Sequence, residues 1–212
     1  MASSPEHYDA WYRTPRGRWI AGREFTLLTR LLSPKPQATL LDVGTGTGHF
    51  ARRFSAIGLK VTGLDPEPAA LAYANSKGID ISYVQGAAQR LPFADGSFDY
   101  CTAITSLCFM PDPEAAVHEM WRVARRKIIL GLLHRHSVLY RQKAGRGAYA
   151  GARWDDAAAV AGWLAHLTPA PVARTGYAVF LPGAGVMARL IEPVLPASWP
   201  YGAFLAVVLE RP

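Results

Sequence analysis

Leu40-Leu41-Asp42-Val43-Gly44-Thr45-Gly46-Thr47-Gly48-His49-Phe50 decides how the rest of this chain is read. A short apolar run passes directly into three glycines at alternate positions and then into a helical pattern, which predicts a strand, a tight turn and a helix. Glycine there lets the backbone adopt conformations a Cβ forbids and lets a ligand lie against bare main chain. A dinucleotide fingerprint spaces its glycines G-x-G-x-x-G and rests a pyrophosphate on the helix N-terminus. Here the spacing is G-x-G-x-G, and a carboxylate, Asp42, stands two residues before the first glycine. That carboxylate repels phosphate and attracts an ammonium, so the expected ligand is cationic near this turn.

Outward from the turn, strands and helices alternate. Residues 39–43 form the first strand, and Phe50, Phe54 and Ile57 mark a helix that Gly58 closes. Residues 59–64 form a second strand ending at Asp65, with Pro66 opening a helix over 67–76 for which Asp65 is a candidate N-cap. Strand, helix, strand is a right-handed crossover whose ligands sit outside the carboxyl ends of the strands. Strands over 79–84, 98–104 and 128–133 follow, with a helix from Pro113 striped by Val117, Met120, Trp121 and Ala124. His118 lies off that stripe and is expected in solvent. Two late apolar segments, 177–181 and 203–209, read as a closing antiparallel pair. The fold class is therefore α/β: a Rossmann-like doubly wound sheet, mostly parallel with a C-terminal antiparallel strand.

Composition fits one domain. Of 212 residues, 50% are hydrophobic and 18% charged, an ordinary balance for a globular protein. The two cysteines, Cys101 and Cys108, make no disulfide framework and no zinc spacing, so no metal is expected and a reducing, cytoplasmic setting is. The first residues lack a basic segment followed by an apolar core, and the apolar runs are too short to span a bilayer. The net charge of +7 is scattered rather than gathered, which disfavours nucleic acid as a partner. Oligomeric state is not legible.

After the third strand comes Leu91-Pro92-Phe93-Ala94-Asp95-Gly96-Ser97-Phe98-Asp99. With the glycine turn and Asp65 in register, this run resembles class I S-adenosylmethionine (SAM) dependent methyltransferases, in particular the broad subfamily that includes quinone-biosynthesis C-methyltransferases. The resemblance covers roughly residues 36–135 and implies a single domain over 1–212: an N-terminal lid and helix (1–35), a SAM-binding core (36–135), and an acceptor-side segment with the closing strands (136–212). It implies SAM as cofactor, S-adenosylhomocysteine (SAH) as product, and a cofactor site of Asp42, Gly44, Thr45, Gly46, Gly48, Asp65, Pro66, Ala87, Ala88, Gln89 and Thr105. Asp65 takes the ribose hydroxyls, since one carboxylate accepts two hydrogen bonds side by side. Tyr12 and Arg18, or Arg16, reach over from the lid, and Phe109 joins Thr105 at the reaction centre. Two departures stand out: Ala87 replaces the usual adenine-binding aspartate, and the Pro-Gly-Gly before the fifth strand is missing, so Arg126-Lys127 makes an abbreviated turn.

Beyond residue 135 the resemblance fades. His134, His136 and Tyr140 leave the fifth strand's end and are the catalytic candidates, a histidine being able to accept a proton near neutral pH. Gly145 to Tyr149 reads as a substrate lid before a helix starting near Trp154 and striped by Val160, Trp163, Leu164 and Leu167. The expected activity is methyl transfer to a small-molecule acceptor by in-line displacement. The alternatives are a tRNA methyltransferase, motivated by the charge, and a non-catalytic SAM-binding module, motivated by Ala87.

Overall fold

The computed structural model describes residues 4–212. Helices α1 (Pro5–Arg13) and α2 (Pro15–Leu32) precede an alternating succession: β1 (Thr39–Val43), α3 (His49–Ala56), β2 (Lys60–Asp65), α4 (Pro68–Asn75), β3 (Ser82–Gln85), β4 (Phe98–Ile104), α5 (Pro113–Val123) and β5 (Ala124–Leu133). The later half contributes α6 (Val138–Lys143), α7 (Ala157–Leu164), β6 (Val172–Ala178), α8 (Val186–Ile191) and β7 (Phe204–Glu210). The strands form one sheet in the order β3-β2-β1-β4-β5-β7-β6, in which β7 runs antiparallel to both of its neighbours. This is the α/β architecture expected from the sequence.

Both faces of the sheet are covered, which is why its strands read as continuous apolar runs rather than alternating ones. Successive side chains point to opposite faces. Leu40, Tyr100, Phe204 and Val208 pack on one side with Leu28 and Leu32 of α2 and Phe54 of α3. Leu41, Cys101, Leu205 and Val207 pack on the other with Met120 and Trp121 of α5 and Val160 of α7. Each fully buried side chain of this size contributes about 1.5–3 kcal/mol relative to exposure.

Residues 8–18, expected as a compact lid, are two helices sharing one cap. The Thr14 hydroxyl donates to the Trp11 carbonyl that ends α1 (2.7 Å) and accepts from the Gly17 amide in the first turn of α2 (3.0 Å). Position 17 has to be glycine, because a Cβ would overlap the Trp11 carbonyl. On α2 the buried stripe runs through Ile20, Leu27, Leu28 and Leu32 and includes a carboxyl, Glu24, while Phe25 and Leu31 lie half-buried at its edge.

Several local expectations are corrected. The third strand is shorter and later than 79–84, and the strand expected at 177–181 is β6, which ends at Ala178 because Val179 takes a left-handed conformation (φ 62). No turn separates α5 from β5: Ala124, assigned to the helical stripe, already pairs with Phe98, and Arg125 and Arg126 lie on the strand against Asp99 at 3.3 and 3.2 Å. The N-cap of α4 is Glu67, whose carboxylate accepts from the Ala69 amide, rather than Asp65. His118 is half-buried, with its Nε2 sealed from solvent. The helix expected near Trp154 begins at Ala157, capped by Asp156, and Trp154 instead fills the core against Tyr140 and Tyr149.

Candidate functional site

The carboxyl ends of β1, β2 and β4 open onto a cleft of about 330 Å³. Three loops wall it: the glycine turn, Asp65-Pro66 after β2, and residues 104–110 after β4, while Tyr8 and Tyr12 of α1 close the remaining side. Gly44 (φ 70) and Gly46 (φ 53) adopt left-handed conformations, for different reasons. A Cβ on Gly44 would strike Ser106, whose hydroxyl donates to the Val43 carbonyl at 2.9 Å, whereas one on Gly46 would project into open space. The first glycine lets two loops touch, and the second leaves the cleft floor bare. Gly48, expected in the cofactor site, sits where a side chain would strike Tyr83, so it closes the turn and does not line the cleft.

Two carboxylates are fixed in this wall. Asp42 is buried and receives the hydroxyls of Thr45 and Thr102, each at 2.8 Å, one on each oxygen. Burial outweighs these bonds and pushes its carboxyl up to about 6. Asp65 accepts the Gly46 amide on one oxygen (2.7 Å) and the Glu67 amide on the other (3.0 Å), so the glycine turn and the start of the next helix are locked to one side chain. Each oxygen keeps a lone pair for a ligand donor. Burial raises this carboxyl too, against the pull of the two amides.

The aromatic wall is held by a polar anchor. Asp9 of α1 is buried between Arg52 of α3 (2.9 Å) and the Tyr73 hydroxyl of α4 (3.1 Å). Tyr12 then stacks on His49 at 3.7 Å, almost parallel, and the Tyr8 and Tyr12 hydroxyls meet at 3.2 Å. Burial, helped by Arg53 and Arg52, brings His49 down to about 4, so the stacked imidazole is neutral at neutral pH. Behind the lid, burial pushes Glu24 up to about 8. At the opposite wall Thr105 has φ 49, a left-handed conformation that is costly for a β-branched residue and that its amide's bond to the Gly131 carbonyl (2.7 Å) maintains.

Of the residues singled out from sequence, Asp42, Gly44, Thr45, Gly46, Asp65, Pro66, Thr105, Phe109 and Tyr12 line this one cleft. Arg18 does not: it is exposed on α2, and Arg16 donates to the Pro182 carbonyl (2.9 Å). Ala87, Ala88 and Gln89 lie outside the lining, Gln89 reaching only the Asp112 carbonyl at 3.5 Å. Nor do the catalytic candidates line it. His134 is buried with Nδ1 against the Gly202 carbonyl (2.9 Å), the exposed His136 faces Asp156 at 3.3 Å, and the Tyr140 ring packs on Trp154. Sequence reasoning missed Tyr8, Thr47, His49, Phe50, Ile104, Ser106 and Met110 as wall residues. His49 and Phe50 were legible, because they directly follow the last glycine of the turn.

A second, larger hollow of about 610 Å³ lies at the other end of the parallel strands. Its Arg122 is held by Glu119, Asp95 and two carbonyls, and its Arg125 by Asp99. Those side chains are occupied by the fold itself.

The cleft's own chemistry tests which nucleoside-bearing group it suits. Among the described residues, no lysine or arginine lines it, two carboxylates do, its floor is bare backbone, and the buried Thr47 hydroxyl has no protein partner. A phosphate finds no cation here, whereas a cofactor with an ammonium, a sulfonium and a ribose finds donors and acceptors in place.

Comparison with known proteins agrees. Residues 41–130 match the family described as "Methyltransferase domain". An uncharacterised protein of Mycobacterium tuberculosis is 34% identical over 158 residues, 71% of this chain and 53% of its own length. A protein of Mycobacterium sp. (strain KMS) named an uncharacterised methyltransferase is 38% identical over 87 residues, 41% of this chain and 34% of its own. The chain thus spans about half the length, or less, of these curated relatives. Among solved structures, a SAM-dependent methyltransferase of Thermotoga maritima, described as a possible histamine N-methyltransferase, superposes with a TM-score of 0.76 at 25% identity, covering 98% of this chain and 96% of its own. The phosphoethanolamine N-methyltransferase 2 of Haemonchus contortus, solved with SAM, shares the fold with a TM-score of 0.68 at 16% identity, over 100% of this chain and 60% of its own. The glycine turn, the two carboxylates and the seven-stranded sheet are those of a class I SAM-dependent methyltransferase domain, and the family match lies over residues 41–130.

Proposed function

We propose that the protein transfers a methyl group from SAM to a small-molecule acceptor, releasing SAH. The observation that carries this reading is the cleft itself: bare backbone at Gly46, Asp65 braced by two amides, the low-dielectric carboxylate of Asp42, and an aromatic lid facing the loop after β4. SAM, when bound, supplies an already activated methyl on sulfur, so the protein's task is orientation and exclusion of water. Asp65 offers its free lone pairs to ribose hydroxyls, and Asp42 offers negative charge to the amino group. Tyr8, Tyr12 and Phe109 screen the side of the cleft from which an acceptor approaches. The Tyr8 and Tyr12 phenols, ordinarily protonated at neutral pH and pushed further up by desolvation of their hydroxyls, carry no charge and have a proton to donate.

The acceptor we read as small and uncharged where it meets the lid. The walls there are aromatic, and the resemblance of residues 91–99 to the C-methyltransferases of quinone biosynthesis supports a flat ring. The expected setting is the cytoplasm. Isothermal titration of the purified chain with SAH tests the cofactor assignment: saturable one-to-one binding is expected. Absence of binding to SAM and SAH, together with binding of NADH, would overturn it. Mass spectrometry of small molecules that co-purify with the chain would then name the acceptor.

A further inference from the structure

Between β6 and β7 the chain makes an excursion over residues 179–203, and it turns an apolar face outward. Val186, Met187, Leu190 and Val194, spaced as on one side of a helix, are 75, 64, 67 and 78% exposed. Trp199 and Tyr201, later in the same excursion, are 50 and 64% exposed. This is not a loose loop. The fully buried Glu192 carboxylate accepts the Phe180 and Leu181 amides at 2.9–3.1 Å, which pins the excursion with these residues facing solvent. Large apolar side chains exposed on one side of a helix that is held in place mark an interaction surface.

Charge identifies the partner. Two exposed guanidinium groups border the face, Arg16 donating to the Pro182 carbonyl (2.9 Å) and Arg189 to the Ala184 carbonyl (3.2 Å), and a third, the half-buried Arg23 with its Nε sealed from solvent, donates to the Glu192 carbonyl (3.2 Å). Carbonyls orient these groups without neutralising them. Among the described residues, none of the three forms an ion pair, and the carboxylates of the same elements, Glu24 and Glu192, are buried. An apolar centre with aromatic residues and an unneutralised cationic border complements lipid chains beneath anionic headgroups. A second copy of the chain fits poorly, since a two-fold contact brings two cationic borders together with no exposed carboxylate of these elements to pair them.

We propose that this face seats the protein peripherally on an anionic phospholipid surface. Among the described residues no helix is long and apolar enough to cross a membrane, so the contact lies in the interface plane. The docking face also adjoins the lid. Thr14 ends α1, whose Tyr8 and Tyr12 wall the cleft, and begins α2, whose Arg16 holds Pro182.

Co-sedimentation of the full chain with vesicles tests this without reference to methyl transfer. Partition into vesicles of equal phosphatidylglycerol and phosphatidylcholine is expected to exceed that into phosphatidylcholine alone by at least tenfold, and to fall as salt rises. The combined substitution Val186→Ser, Leu190→Ser, Val194→Ser is expected to lower it at least tenfold, with unchanged melting temperature and SAH affinity. Arg189→Gln is expected to lower it several-fold. Absent sedimentation with anionic vesicles, equal partition into both vesicle types, or partition indifferent to the triple substitution would overturn the proposal. So would two findings that assign the face to another occupant: a wild-type dimer in light scattering that the triple variant loses, or capture by polyglutamate without vesicle binding.

Discussion

Replacing Asp65 by asparagine changes one atom and exposes the double role of this side chain. Both carboxylate oxygens accept backbone amides, Gly46 at 2.7 Å and Glu67 at 3.0 Å. An asparagine has one carbonyl oxygen and one NH2 group, so whichever way the amide is turned, an NH2 faces a backbone N–H. One buried donor is left unsatisfied, at a cost of about 1–3 kcal/mol. For a domain of this size that lowers the melting temperature by about 2–4 °C per kcal/mol, so a fall of roughly 2–12 °C is expected without ligand. The ligand loses as well. Hydrogen bonds to a charged partner are worth about 1.5–3 kcal/mol, which converts to roughly a 10- to 150-fold loss of SAH affinity when one ribose hydroxyl meets an NH2 instead of a carboxylate oxygen. Differential scanning fluorimetry of the unliganded protein and isothermal titration with SAH separate the two effects. A lowered melting temperature with undiminished affinity would refute the ribose role and leave Asp65 as a brace of the turn. Unchanged values in both would refute the geometry altogether.

Three further outcomes follow from the same wall. Asp42, raised to about 6, serves an ammonium only when ionised, so SAM affinity should fall as pH drops from 7.5 through 6 to 5; calorimetry across that range should show the slope, and Asp42→Asn should remove it. Asp9→Ala deletes the anchor between α1, Arg52 and Tyr73, and since a nine-residue helix is marginal by itself, trypsin should cut at Arg13 at least tenfold faster while SAH protects the wild type. Glu24, raised to about 8 from an ordinary value near 4.5, keeps its proton in the fold where the unfolded chain releases it. Stability therefore declines as pH rises from 4.5 to 8, and Glu24→Gln should flatten that decline, raising the melting temperature at pH 8 more than at pH 5.

The parallel half of the sheet was legible because local signals and the global fold agree there. Leu40-Leu41 announces a strand buried on both faces, the glycines announce the turn, and Asp65 ends the next strand. Boundaries failed where tertiary pairing overrode local pattern. Arg125 and Arg126 look like the end of a helix, yet Asp99 on β4 draws them into β5. The segment 172–176 looks like a polar linker because β6 is an edge strand whose first four residues are exposed, and only its pairing with β7 makes it a strand. In the site, residues contiguous with the motif were readable, and so was Tyr12 of the lid, while what anchors the lid was not. Tyr8 stands at the cleft because its neighbour Asp9 is held by Arg52 and Tyr73, 43 and 64 residues away from it, a partnership that no local pattern announces. His134, His136 and Tyr140 were proposed from their place at a strand end, and packing against Gly202, Asp156 and Trp154 directs them elsewhere.

The position of β7 bears on how the molecule is made. It follows every other strand in the chain yet lies between β5 and β6, bonded to both along its length. During synthesis β5 therefore waits with one open edge, and β6 has nothing to pair with, until residue 210 has emerged from the ribosome. Through that interval the nascent chain displays an unpaired apolar ribbon, a template for pairing with other chains. A chaperone's protection matters most in that window, and a stop codon ahead of Phe204 would make it permanent.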